Sequence, residues 1–371
     1  MKIKTLAITV AALAVLCVLA YLGNRPAAPE ATDPRVGQPV LGPDIVSKAS
    51  SLTISDAGKK VELARQPDGS WRVPSYYDLP ADFDKVAHLI QDLNESKVDR
   101  FVTSNPERLS RMGFADSSIS LGDASGKTIW SVTFGRTPES GNGKFIRFGS
   151  EPAAFFSGLH VWLDTDAKGW ADSRLASLKA DDVASVEIPF DGEPAVVASR
   201  AKKDAAWSAK APAGRKLAPD KVASLVSILT TLRFSETAAV DDPQAAEASR
   251  HMRAFKMTTF DGKTLTVALG RRPEEKKPKA APAPAAGAQA KPAAEAKEGP
   301  AKDEAKPEPA KAAQPEFETI PAGPVFVSIE SSDAHAPVNA LMKRRAFEVD
   351  DYSYTGLPQR SDELFEQDKA K

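Results

Sequence analysis

Residues 51–55 alternate polar and apolar, with Leu52 and Ile54 on one side, and residues 60–65 repeat the pattern with Val61 and Leu63. A period of two marks a half-buried strand, and Asp56-Ala57-Gly58 between the runs is a hairpin turn. After the Pro67-Asp68-Gly69 turn, Trp71-Arg72-Val73 starts a third strand. The period then lengthens. Asp82 is placed to cap a helix whose apolar positions Phe83, Val86, Leu89, Ile90 and Leu93 form one stripe. Asn105-Pro106 opens a shorter helix, since Asn caps and proline suits the first turn, and Met112-Gly113-Phe114 closes it. Strands are predicted over 118–121, 128–134 and 144–148, with a further apolar stretch at 153–156.

The same script returns at an offset of 136 residues. Trp207 answers Trp71, Asp220-Lys221-Val222 answers Asp84-Lys85-Val86, and Leu229 answers Leu93. Gly262-Lys263-Thr264 answers Gly126-Lys127-Thr128, and after the loss of one residue Gly270-Arg271 answers Gly135-Arg136. Chance does not hold a register over so many identities, which points to one supersecondary unit copied in tandem. In the second copy, 183–188 and 195–199 are predicted strands. Pro219 starts a helix with Val222, Leu225, Val226 and Leu229 on one face, and Asp242-Pro243 starts a short one. A hairpin over 255–260 and 264–269 follows, with a later strand at 326–329. The predicted fold class is therefore α+β: two tandem repeats, each an antiparallel sheet with two helices packed on one face, after an N-terminal transmembrane helix.

That transmembrane helix is predicted from residues 6–22, an apolar run behind Lys2 and Lys4 and broken only by Thr9. At ~1.5 Å per residue it reaches about 25 Å, slightly short of a ~30 Å hydrocarbon core. A cleaved signal ending at Val18-Leu19-Ala20 and a lipoprotein using Cys17 stay open as alternatives. All three readings carry the rest of the chain across the bacterial inner membrane, giving a single-pass protein with a periplasmic C-terminal region. Residues 1–23 are thus anchor or signal, and the proline-rich 24–44 an extended stalk. Repeat 1 spans 45–170 and repeat 2 spans 171–337. The Ala/Pro/Lys/Glu-rich 272–316 is an expected disordered insert, and 338–371 a short helix with a loose tail.

The 49 basic and 50 acidic residues leave a net charge of −1, which argues against a nucleic-acid partner. One cysteine and four scattered histidines supply no disulfide and no recognisable metal set. Gly126-Lys127-Thr128 resembles the end of a phosphate loop, but only three residues separate Gly122 from Gly126 and the segment runs into a strand; a hairpin turn is the better reading. Asp82 with Asp84 and Asp181 with Asp182 are paired carboxylates at a helix start and a turn, with no nucleophile or base beside them. Trp71 and Trp207 are assigned to equivalent core sites. Phe155, Phe156, Trp162 and Trp170 fall between the repeats, as inter-repeat packing or as a partner or ligand patch. No catalytic residue, cofactor site or metal site is assigned.

Several features stand in a fixed order: the N-terminal anchor, the Trp-led strand, Pro80-Ala81-Asp82 with Val86, Leu89 and Ile90, and Met112-Gly113-Phe114. The Gly126 to Gly135 hairpin follows, then Trp170-Ala171-Asp172-Ser173-Arg174-Leu175 leading to Asp181-Asp182-Val183. Together they resemble a bacterial membrane-anchored domain-of-unknown-function family, encoded beside auxiliary components of gliding-motility-type ABC transporters. The resemblance implies a non-enzymatic accessory role, with the membrane and transporter subunits as partners. The alternative is a periplasmic binding module for a cell-wall glycan or lipid. Oligomeric state is not legible.

Overall fold

The computed structural model describes residues 33–138, 141–278 and 317–367. The chain divides into two compact units, Met1–Asp172 and Ser173–Lys371.

In the first unit, α1 (Pro43–Lys48) leads into the hairpin of β1 (Ser51–Asp56) and β2 (Lys59–Arg65), then β3 (Trp71–Val73) and β4 (Leu79–Pro80). α2 (Phe83–Glu95), β5 (Arg100–Thr103) and α3 (Pro106–Ser110) follow. β6 (Ser118–Gly122), β7 (Thr128–Phe134), β8 (Lys144–Phe148), β9 (Ala154–Ser157) and α4 (Ala167–Trp170) complete it. The strands form one nine-stranded sheet in the order β4-β3-β2-β1-β6-β7-β8-β9-β5. Alternate residues of the central strands, among them Leu52, Ile54, Val61, Leu63, Ile119 and Val132, are fully buried. α2 starts where expected: the Asp82 carboxylate accepts from the backbone N–H groups of Asp84 and Lys85 at 3.0 and 3.2 Å.

In the second unit the hairpin is β10 (Val183–Phe190) and β11 (Glu193–Ser199), followed by β12 (Ser208–Ala209), β13 (Arg215–Leu217) and α5 (Pro219–Thr230). Then come β14 (Phe234–Ala238), α6 (Pro243–Ser249), β15 (Arg253–Thr259) and β16 (Thr264–Gly270). β17 (Glu275–Pro278), β18 (Phe317–Ile320), β19 (Val325–Ser331), α7 (Pro337–Arg344), β20 (Ala346–Val349), α8 (Asp351–Thr355) and β21 (Phe365–Gln367) close the chain. The main sheet has eight strands, β12-β11-β10-β15-β16-β19-β20-β14. From β3 in one unit and β12 in the other, the two orders match strand for strand. The β6–β7 and β15–β16 turns match in backbone too, since Gly126 and Gly262 hold φ of 82° and 83°. Only glycine takes that left-handed geometry without strain.

The expected fold class needs correction. The sheets are large, and the short helix of each unit contributes little: α3 buries no residue, and α6 buries only Ala245 and Ala248. A five-residue helix with no apolar face cannot cover a sheet, so the picture of two helices packed on one face of each repeat fails. Among the described residues no helix is long and apolar enough to cross a membrane. The predicted span 6–22 lies outside the described residues.

Three boundaries also differ from expectation. The proline-rich stalk is packed in its described part: Val40 and Leu41 are buried, and their N–H groups donate to Ser96 and Leu93 carbonyls at 2.8 and 3.1 Å. The segment 272–316 was expected to lack structure, yet Glu275–Pro278 pairs antiparallel with Phe317–Ile320; residues 279–316 lie outside the described residues. The expected loose tail supplies β20, which pairs with both β19 and β14, and β21, which pairs with β13. Phe83 departs from its stripe: it is the first residue of α2 and stands 61% exposed.

Candidate functional site

Period-two alternation continues past β9 without a strand. Leu159 is buried and Val161 and Leu163 half-buried, while His160 and Trp162 face solvent, Trp162 with 85% of its surface exposed. This strap is pinned at both ends. At its start the Ser157 hydroxyl donates to the Lys97 carbonyl, and the Gly158 N–H donates to the Asp99 carboxylate, both at 2.7 Å. At its far end Lys85 Nζ donates to Asp164 at 2.6 Å and to the Gly169 carbonyl at 2.8 Å, and lies 4.4 Å above the Trp170 ring. Trp170 Nε1 donates to the Asp164 carbonyl at 2.8 Å. Burial works to raise the Asp164 pKa. The hydrogen bonds from Lys85 and the Asp166 N–H outweigh it and hold the carboxyl below its ordinary value.

Trp162 borders a half-open recess of about 170 Å³, lined also by Asp56, Ser117, Phe134, Gly135, Lys144, Val161 and Leu163. The chain brings these residues together from the end of β1, the approach to β6, the end of β7 and the start of β8. Ser117 Oγ donates to the Asp56 carboxylate. Lys144 Nζ lies 5.5 Å from the centre of the Phe134 ring. The recess thus offers an acceptor, a donor, a hydroxyl and an aromatic rim.

Two further exposed aromatic side chains flank β4 along the chain. Tyr77 is 49% exposed and Phe83 61%. Tyr77 and Asp78 both hold left-handed backbone, φ 55° and 52°, which costs a bulky residue about 1–3 kcal/mol. The Arg72 guanidinium secures the turn, donating to the Asp78 carbonyl at 2.9 Å.

The predicted patch does not share one surface. Phe155 is fully buried, with its ring 5.8 and 5.7 Å from those of Phe101 and Phe148, and Trp170 is 2% exposed. Phe156 is half-buried against Phe145 and Arg100, which leaves Trp162 as the one member of the four standing in solvent. Trp207 is buried under the Arg200 guanidinium at 4.7 Å, and Trp71 is half-buried. Of the carboxylate pairs, Asp82 caps α2, while Asp182 ends a short turn and pairs with Lys203 at 2.6 Å. Asp182 also lines a recess of about 610 Å³ in the second unit, where Lys263 pairs with Asp333 at 3.3 Å. Among the described residues no three His, Cys, Asp or Glu side chains are grouped to hold a metal ion.

Sequence reasoning missed Tyr77, Asp56, Ser117 and Lys144. Tyr77 had a local signal, an aromatic inside the Pro74–Asp78 turn; the other three are remote in sequence and carry none.

A family model described as a domain of unknown function (DUF4340) matches residues 71–250. The chain is similar to that family over just under half its length, from the Trp71 strand through α6. No curated protein and no solved structure matches the chain.

Proposed function

We propose that this chain is a non-enzymatic protein of the bacterial envelope, held at the inner membrane by residues 6–22, with the remainder in the periplasm. Its work is to dock a protein partner, a subunit of an ABC-type transporter, on the first unit. The observation that carries this reading is the exposure of Tyr77 and Phe83, two large aromatic side chains that flank β4 along the chain. Aromatic side chains are enriched at the centres of protein interfaces, where they bury much area at little entropic cost. The left-handed backbone at Tyr77 adds to the argument, because strained conformations of this kind concentrate at binding sites. The transporter as partner comes from the family resemblance.

The test is affinity recovery from detergent extracts with the full chain and with a Tyr77→Ser/Phe83→Ser double variant. The full chain should recover an ATPase and permease pair, and the variant about tenfold less. Both positions are exposed, so the melting temperature should move by less than about 2 °C. Recovery of no transporter subunit by the full chain, or undiminished recovery by the variant, overturns the reading.

A further inference from the structure

The geometry points to a saccharide-binding subsite at Trp162, in the recess formed with Asp56, Ser117 and Lys144. It is separate from the surface proposed for the protein partner, since neither Tyr77 nor Phe83 lines this recess.

Three observations converge. Trp162 is the most exposed large apolar side chain among the described residues, and the strap that carries it is fixed at Gly158 and Asp164. With its backbone carried on a pinned strap, the exposed indole offers a platform for a flat apolar surface. Beside it lie a carboxylate, an ammonium and a hydroxyl, which select among the ligands able to use that platform. A cationic ligand meets Lys144, and an anionic ligand meets Asp56. A lipid chain would strip water from both without replacing their hydrogen bonds. A neutral pyranose satisfies every group at once. Its hydroxyls donate to Asp56 and Ser117 and accept from Lys144, while its C–H face lies on the indole. The recess, at about 170 Å³, takes one sugar ring, with the neighbouring residues of a longer chain running out into solvent.

The experiment is isothermal titration of the full chain, in a detergent lacking a sugar headgroup, with the neutral tetrasaccharide of β-1,4-linked N-acetylglucosamine. The cationic glucosamine and anionic galacturonate tetrasaccharides serve as comparison probes. The neutral probe should bind more tightly than about 1 mM, and about tenfold more weakly to Trp162→Ala. Trp162→Phe should restore part of the loss, since it returns an aromatic face. Lys144→Met should admit the cationic probe and Asp56→Asn the anionic one, a crossed pattern that a merely structural role would not produce. Thermal melts of each variant report folding independently of binding. The proposal is overturned if the neutral probe fails to bind at that concentration, or binds Trp162→Ala as well as the parent. It is equally overturned if Trp162 governs binding of a peptide while the saccharides show none.

Discussion

Gly135 and Gly270 stand at matched strand ends, and each is there because another backbone leaves no room for a side chain. A Cβ on Gly135 would lie 2.6 Å from the Met112 carbonyl oxygen, and one on Gly270 would lie 2.7 Å from that of Ala248. In both units the close of the short helix presses on the strand, which explains why the internal correspondence keeps these glycines after slipping by one residue. Gly126 differs: nothing lies within 4 Å of its Cβ position, but φ is +82°. The two mechanisms predict different penalties. Gly135→Ala and Gly270→Ala should each cost about 1–3 kcal/mol through overpacking, whereas Gly126→Ala should cost about 1 kcal/mol through its left-handed backbone. Urea unfolding of the three variants checks the order; a Gly126→Ala loss larger than the other two would reverse the assignment.

At the level of elements, what could be read from sequence was what is local. Asp82 as the cap of α2, Asn105 and Asp242 as caps of the short helices, and glycine in the matched hairpin turns each depend on residues within a few positions. The order of β8, β9 and β5 in the sheet, and of β20 between β19 and β14, depends on residues far apart that no local period encodes. Composition misled in the same way at Val40 and Leu41, where five prolines suggested a stalk but two apolar side chains bury themselves in its described part. The alternation that turns Trp162 outward was present in Leu159, Val161 and Leu163, whereas Asp56, Ser117 and Lys144 reach the same recess only through the fold. The strap has its own pH signature. Because the folded Asp164 pKa lies below its ordinary value, its contribution is complete above about pH 4 and is lost as pH falls through the folded value. Asp164→Asn should therefore lower the melting temperature by a constant amount between about pH 5 and 8, and the gap to the parent should close as pH falls through the lowered folded value. A gap that widens on acidification would show that the Lys85 pairing is not what stabilises the strap.

For the molecule as a whole, the division between units falls at one peptide bond. The Asp172 N–H donates to the Pro80 carbonyl at 2.8 Å in the first unit, and the Ser173 carbonyl accepts from the Phe234 N–H at 2.9 Å in the second. Hydrogen bonding changes sides between adjacent residues, and each unit then has its own sheet and its own buried core. A unit with its own core is able to fold alone. The C-terminal stretch belongs to that core: Phe347 is fully buried on β20, and Leu357 and Leu364 are 2% and 1% exposed. Arg253 ties the same stretch down, its guanidinium donating to the Pro189 carbonyl at 2.9 Å and the Pro358 carbonyl at 2.7 Å. Without residues beyond Ala336, β14 loses the one ladder that joins it to the sheet among the described residues, and β19 loses its pairing with β20. A fragment spanning Ser173–Lys371 should therefore melt cooperatively with dispersed amide resonances, while 173–336 should show neither. Cooperative folding of the shorter fragment would mean that β20 decorates the second unit rather than completes it, and the resemblance between the two sheets would then stop at β16 and β19.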